Sequence, residues 1–210
     1  MSLIKPPPHL KISQWADKFR LLSTESSSEA GKFETSRAIF QKEIMDSINE
    51  PTITEVVVMS CSQIGKTEIL LNSIGYYIHY APAPILIVHP TLEMARAWSQ
   101  DRLAPMIRDT EILKQKVAEV KSKDSGNTVL HKIFDGGHIT ACGANSPASL
   151  ASRPIKIVLC DEIDRYPPTA GSEGDPVMLA KRRSATFWDS KLVLTSTPTC
   201  LLYTSDAADE

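Results

Sequence analysis

Hydrophobic positions in the first fifty residues follow a helical rhythm, and from there the chain turns to short apolar runs separated by helical segments. Pro6, Pro7 and Pro8 fix φ and disfavour helix at the residue before each ring, so this stretch is expected to be extended. Ser13 then offers an N-cap for a short helix with Trp15, Phe19 and Leu22 on one face. Residues 23–31 are rich in Ser and Glu and read as a solvated loop. A second amphipathic helix is expected over residues 36–48, with Ile39, Phe40, Ile44 and Ile48 facing inward.

Residues 53–59 are β-branched and predict a buried strand, and residues 66–80 predict the helix after it. Residues 85–88 form another short apolar run, stopped by Pro90, with Thr91 placed to cap the next helix. Residues 121–127 are polar and read as a loop. Residues 129–134 and 138–142, joined by Asp135, Gly136 and Gly137, predict a β-hairpin. Residues 155–160 and 192–195 complete the set of short buried strands. Strands separated by helices argue for an α/β fold with a mostly parallel β-sheet flanked by helices on both faces, preceded by a helical arm.

At 210 residues and 42% hydrophobic content the chain is long enough for one such domain, and 23% charged residues is an ordinary globular balance. The formal net charge of −2 provides no overall basic footprint for nucleic acid. Four cysteines (Cys61, Cys142, Cys160 and Cys200) show no paired spacing and read as small buried residues of a reducing compartment rather than a zinc site or a disulfide framework. No signal peptide is apparent at the N-terminus, and no apolar run reaches the ~18 residues that span a bilayer. The expectation is a soluble intracellular protein with no membrane partner.

The strongest chemical signal is Ser60-Cys61-Ser62-Gln63-Ile64-Gly65-Lys66-Thr67, which matches the phosphate-loop pattern G-x-x-x-x-G-K-[ST] except that Ser60 stands at its first position. A buried strand enters it and a helix leaves it, as the chemistry requires. Successive backbone N–H groups and the helix N-terminus form an anion-binding hollow. Gly65 lets the backbone approach the phosphates of ATP, Lys66 supplies a cation to them, and Thr67 a hydroxyl ligand to Mg²⁺.

A second strand ends in Asp161 and Glu162. Asp161 would hold the Mg²⁺ shell and Glu162 would orient and deprotonate an attacking water. A third strand ends in Thr195, Ser196 and Thr197. In ATPases with a catalytic Glu such a strand inserts between the other two, where its end could sense hydrolysis.

Taken together, the residues resemble the large terminase subunit of lambda-like tailed phages. The resemblance is carried by Ser13-x-Trp15-Ala16-Asp17, by Gln41-Lys42-Glu43-Ile44-Met45-Asp46, by the segment from Val58 to Glu68, and by Asn145-Ser146-Pro147-Ala148-Ser149-Leu150. It is carried further by Asp161-Glu162-Ile163-Asp164-Arg165-Tyr166-Pro167, by Glu173-Gly174-Asp175-Pro176 and by Thr197-Pro198-Thr199. The resemblance implies the ATPase motor of a DNA-packaging enzyme in the host cytoplasm. It would act on double-stranded DNA as a homo-oligomer, with a small terminase subunit and a portal ring. By position Gln41 would approach the adenine, and Thr195, Ser196 and Thr197 would couple hydrolysis to movement. An arginine that stabilises transition-state charge is implied as well, with Arg153, Arg182 and Arg183 as candidates.

Lys181, Arg182 and Arg183 also read as a solvated basic face. His79, His89, His131 and His138 show no metal spacing and read as ordinary surface or core residues, and Trp98 and Trp188 as core residues of helices. The domain reading is residues 1–50 as arm and adenine-side segment and residues 51–199 as an incomplete ATPase core. The nuclease domain of such enzymes is expected to be absent. Residues 200–210 read like the translation of a transposase-type sequencing adapter, so the natural sequence is expected to stop at about Thr199. Two other readings remain: a DEAD-box-like helicase or translocase ATPase, echoed by Asp161-Glu162-Ile163-Asp164 and Ser196-Thr197, and a truncated module that binds nucleotide or partners without turnover.

Overall fold

Strands with apolar residues on both faces build the centre of the sheet, because only a strand covered on each side can bury every position. The structure, a computed structural model, describes residues 10–25, 29–117, 127–146, 150 and 153–198. Three strands are buried throughout: β4 (Ile85–His89), β7 (Ile157–Cys160) and β8 (Lys191–Ser196). With β3 (Glu55–Met59), β5 (His131–Phe134) and β6 (Gly137–Gly143) they form a six-stranded sheet in the order β3-β8-β7-β4-β6-β5. All neighbours are parallel except the β5–β6 hairpin. That hairpin turns on Asp135 and Gly136, whose φ of 86° needs glycine. A separate two-stranded sheet pairs β1 (Leu21–Leu22) with β2 (Gly31–Lys32).

One face of the sheet carries α1 (Ile12–Phe19), α2 (Phe40–Ile48) and α3 (Lys66–His79). It also carries α4 (Leu92–Trp98), which runs through a π-turn at Ser99–Leu103 into α5 (Ala104–Asp109), and α6 (Glu111–Lys116). The other face is covered by α7 (Pro176–Arg182) and loop residues such as Leu150 and Ala170. The helix α3 lies between the sheet and α1, so nearly all its residues are buried. Gly75 makes this possible, since a Cβ there would overlap the Trp15 ring. Trp15 Nε1 in turn donates to His79 Nδ1 (3.1 Å).

Several sequence expectations are corrected. The N-cap of α1 is Lys11, not Ser13, which is buried in the first turn. The free N–H groups there are met from α2 and beyond: Ile12 donates to Asn49 Oδ1 (3.4 Å) and Ser13 to Asp46 Oδ1 (3.2 Å). The helix stops at Phe19, so Leu22 lies in β1 and not on its face. Within the segment read as a solvated loop, Ser23 is buried and Gly31 belongs to β2. The second helix is a 3₁₀ turn (Thr35–Ala38) followed by α2, and its inward face is Gln41, Met45 and Ile48. Ile39 and Phe40 point outward, because Gln41 is drawn to the loop after β3 and Met45 to α3.

The strand β3 is an edge strand among the described residues, and Val57 and Met59 on it are exposed rather than buried. Trp188 is not a core residue: it sits 88% exposed in a turn, whereas Trp98 is buried as expected. Cys142 and Cys160 are buried, but Cys61 is exposed in a loop. Most of the polar segment at residues 121–127 and all of residues 200–210 lie outside the described residues. No helix among the described residues is long and apolar enough to cross a membrane.

The α1–α3 contact generates a stability prediction. Gly75→Val adds a branched side chain into the Trp15 ring, and overpacking of this kind costs about 1–3 kcal/mol or more. Urea unfolding should show a lowered midpoint, and a midpoint equal to that of the parent chain would contradict the packing described.

Candidate functional site

The loop after β3 leaves directly from the sheet, since the Ser60 N–H still donates to the Ser196 carbonyl (3.2 Å). Cys61, Ser62 and Gln63 are exposed, and Gln63 (φ 62°) and Gly65 (φ 85°) are left-handed. Left-handed residues in such a loop can turn successive backbone N–H groups toward one hollow, and the helix dipole at the start of α3 favours an anion there. Left-handed backbone costs a residue with a Cβ roughly 1–2 kcal/mol, so Gln63 is held there by the loop around it.

Two side chains brace the loop. Lys66 is buried, and its Nζ donates to the carbonyls of Ser60 (3.1 Å) and Cys61 (2.7 Å). Gln41 reaches across from α2 and donates from Nε2 to the Ile64 carbonyl (2.9 Å). A Cβ at Gly65 would collide with that same Nε2, so glycine serves close approach as well as the positive φ. Thr67 is half-buried in the first turn of α3. Glu68 beside it pairs with the buried Arg20 (3.2 Å), which fastens the end of α1 to the start of α3. Burial pulls the Arg20 pKa down and Glu68 pulls it back up.

The acid pair follows β7. Asp161 is buried, its N–H donates to the Val88 carbonyl (2.9 Å), and its Oδ1 accepts from Thr195 Oγ1 (2.6 Å). Its Oδ2 is 4.0 Å from His89 Nδ1. Burial pushes the His89 pKa down, against the pull of Asp161, and favours the neutral ring. Glu162 is left-handed (φ 54°) and its Oε2 accepts from Arg165 Nη1 (3.2 Å). Asp164 Oδ1 accepts from Ser196 Oγ (3.1 Å) and from the Thr197 N–H (3.4 Å). Thr195, Ser196 and Thr197 are thus joined to the acidic segment by three hydrogen bonds to two carboxylates.

Because β8 lies between β3 and β7, the loop and the acid pair emerge at the same sheet end, two strand spacings or about 10 Å apart. A polyphosphate on the loop would therefore end near Asp161 and Glu162. The donor set fits Mg²⁺, which takes hard oxygens, few of them from protein, and keeps phosphates and water as the rest. Asp161 offers a carboxylate and Thr67 a hydroxyl. Among the described residues no group of three or more His, Cys, Asp or Glu could hold a metal on its own.

The arginine candidates lie elsewhere. Arg153 is exposed just before β7, and Arg183 follows α7 with its Nε donating to the Leu150 carbonyl (3.0 Å). The Arg183 carbonyl accepts from the Ile155 N–H, which puts it and Arg182 at the amino end of β7, opposite the phosphate loop. Lys181 pairs with Glu55 at the start of β3 (2.7 Å), a solvated contact as the sequence suggested. Sequence reasoning gave no role to His89, Asp164, Arg165 or Tyr166, whose hydroxyl donates to the Val88 carbonyl (2.7 Å). In the sequence Asp164, Arg165 and Tyr166 stood out only as carriers of the family resemblance, and His89 only by its place at a strand end.

A strand, a glycine-ended loop with Lys-Thr opening a helix, and an acid pair on a strand of the same parallel sheet define a P-loop NTPase domain. The family described as "Phage terminase large subunit gpA, ATPase domain" matches residues 27–206, and the chain belongs to that family. The large terminase subunit of Enterobacteria phage P21 is 30% identical over 200 residues, covering 94% of this chain and 30% of that protein. The chain therefore spans under a third of that relative's length. Among solved structures, the HK97 bacteriophage large terminase is similar with a TM-score of 0.68 at 12% identity, over 89% of this chain and 37% of that one. The Thermus phage P74-26 large terminase ATPase domain matches with a TM-score of 0.52 at 17% identity, over 76% of this chain and 64% of that one. A large terminase from a thermophilic bacteriophage, in complex with ADP, gives 0.51 at 12% identity, over 74% and 37%. At these identities the likeness shows the fold. Family membership does not favour the helicase-like or the non-catalytic reading.

The Thr195–Asp161 contact can be tested alone. Thr195→Val removes the donor and leaves a buried carboxylate oxygen short of a partner, a loss of about 1–3 kcal/mol. Ser196→Ala, whose partner Asp164 is exposed, should cost less than about 1 kcal/mol by the same reasoning. Equal losses in urea unfolding would contradict the contact's buried role.

Proposed function

We propose that this chain binds Mg·ATP and hydrolyses it as the motor domain of a DNA-packaging large terminase. The observation that carries the reading is the phosphate loop braced by Lys66 and Gln41, two strand spacings from the buried Asp161. Lys66 exchanges its two loop carbonyls for phosphate oxygens, and the N–H groups of residues 61–67 hold the β-phosphate. Asp161 and Thr67 would hold Mg²⁺, which when bound would neutralise charge on the phosphates. Glu162 lets go of Arg165, positions a water in line with the γ-phosphate and takes its proton. The left-handed backbone at Glu162, just past the end of β7, supports a role set apart from that of Asp161.

Gln41 serves the adenine side. One N–H of its Nε2 is used on the loop, and its Oε1 is left to accept from the base's exocyclic amine. A groove of about 440 Å³ beside the loop, lined by Phe40, Ile44, Val57 and Ile64 among others, is apolar enough for the base. Thr195, Ser196 and Thr197 report the nucleotide state, because Thr195 touches Asp161 and Ser196 touches Asp164. Arg182 and Arg183 lie at the amino end of β7, away from the phosphate loop, and an arginine given to another subunit's nucleotide in a homo-oligomer belongs to the same proposal. Double-stranded DNA, a small terminase subunit, a portal ring and the host cytoplasm belong to the same proposal, as does a nuclease domain in the parent protein. The complex of the thermophilic phage's large terminase with ADP supports the nucleotide part.

Phosphate release with Mg·ATP tests the reading. Lys66→Ala should weaken nucleotide binding at least tenfold, by loss of a charge-assisted contact worth about 1.5–3 kcal/mol. Glu162→Gln should keep binding and lose about 10²–10⁴-fold in turnover. Both variants turning over like the parent chain would place the chemistry elsewhere.

A further inference from the structure

The face of the sheet away from α3 holds a second polar cavity that the nucleotide reading leaves unused. It is a pocket of about 170 Å³ with His131, His138, Thr140 and Arg153 among its lining, against the apolar side chains of Leu86 and Ile155. Thr140 pairs in register with Leu86 of β4, three residues before His89, so the pocket sits about 10 Å back from the strand end that carries the acid pair. It is on β6, four strand spacings or about 19 Å across from β3 and its phosphate loop. It is a separate place on the molecule.

The polar groups here can carry positive charge but no negative charge. The two imidazoles face each other with centroids 5.4 Å apart, and His131 Nδ1 lies 2.9 Å from Thr140 Oγ1. His138 Nε2 is buried with no hydrogen-bond partner among the described residues, and Arg153 has no ion-pair partner among them. Two rings that can each gain a proton and a fixed guanidinium therefore converge with no described carboxylate to balance them. A guanidinium fork matches an oxyanion's geometry, and the apolar walls strengthen whatever charge enters.

We propose that His131, His138, Thr140 and Arg153 form a binding site for a tetrahedral oxyanion of the phosphate class. The anion accepts from Arg153 and from His138 Nε2, and Thr140 fixes the His131 ring. Two sources carry this chemistry: a backbone phosphate of duplex DNA, or a free phosphate. The site does not depend on the phosphate loop and would stand if that assignment failed.

The free rings resist protonation. Burial lowers both pKa values, Arg153 lowers them further, and His131 adds to the effect on His138. A bound dianion offsets the charge of Arg153 and favours the protonated rings. Anion affinity therefore rises as pH falls through the histidine range, by linkage.

Ring-carbon NMR of the 210-residue chain tests this with sulfate, which stays a dianion across the range. Sulfate should shift the His131 and His138 signals and bind at least about threefold tighter at pH 6 than at pH 7.5. The response should persist in Lys66→Ala, weaken in His138→Gln and disappear in Arg153→Gln. A short DNA duplex that shifts the same signals upholds the site and assigns it to the DNA backbone. Inorganic phosphate doing so without a duplex response upholds it and assigns a free phosphate. Rings that do not respond to sulfate, or that respond equally in Arg153→Gln, overturn it.

Discussion

The parallel insertion of β8 between β3 and β7 is the constraint on which the site depends. Parallel strands send all their carboxyl ends to one side of the sheet, so the loop after β3, the acids after β7 and the hydroxyl residues ending β8 meet there without any long excursion. Register sets the spacing: Met59 stands beside Ser196, and Cys160 beside Leu194. A slip of one residue would turn Thr195 away from Asp161 and point its hydroxyl at the opposite face. The apolar pattern on both faces of β7 and β8 resists such a slip.

Around that frame the site stores conformational cost. Gln63 and Glu162 are held left-handed, and Lys66 is folded onto its own loop carbonyls. These features are offset by buried contacts behind them: Gln41 on Ile64, Arg20 on Glu68, and Thr195 on Asp161. Helices α1 and α2 are therefore part of the site's support: Gln41 reaches the loop from within α2, and Arg20 reaches α3 from the end of α1. Through Trp15 against Gly75, the packing of the arm and the posture of the phosphate loop are joined in a single body.

Much of this was legible in the sequence, for physical reasons. Phosphate chemistry needs Gly65, Lys66 and Thr67 contiguous after a strand, and an acid pair needs a strand to end on it, so both signals are local. The insertion of β8 was legible only by analogy with ATPases that carry a catalytic Glu. What local pattern could not carry was the outcome of competition between elements. Ile39 and Phe40 look inward-facing by periodicity, yet α2 is rotated so that Gln41 and Met45 reach their partners. Ser13 looks like a cap, yet side chains in and just after α2 meet the helix N-terminus instead. Val57 and Met59 look buried, but β3 has a strand neighbour on one side only among the described residues. Trp188 shows that size and hydrophobicity do not place a residue in a core that its turn cannot reach.

A nucleotide that bridges the loop after β3 and the acids after β7 must touch both at once. Backbone hydrogen exchange of the chain, with and without Mg·ADP, tests this most directly. Added protection should appear together at residues 60–68 and at residues 160–164, the latter through Asp161 and its bonded neighbours. Protection at the phosphate loop alone, or at neither segment, would contradict it.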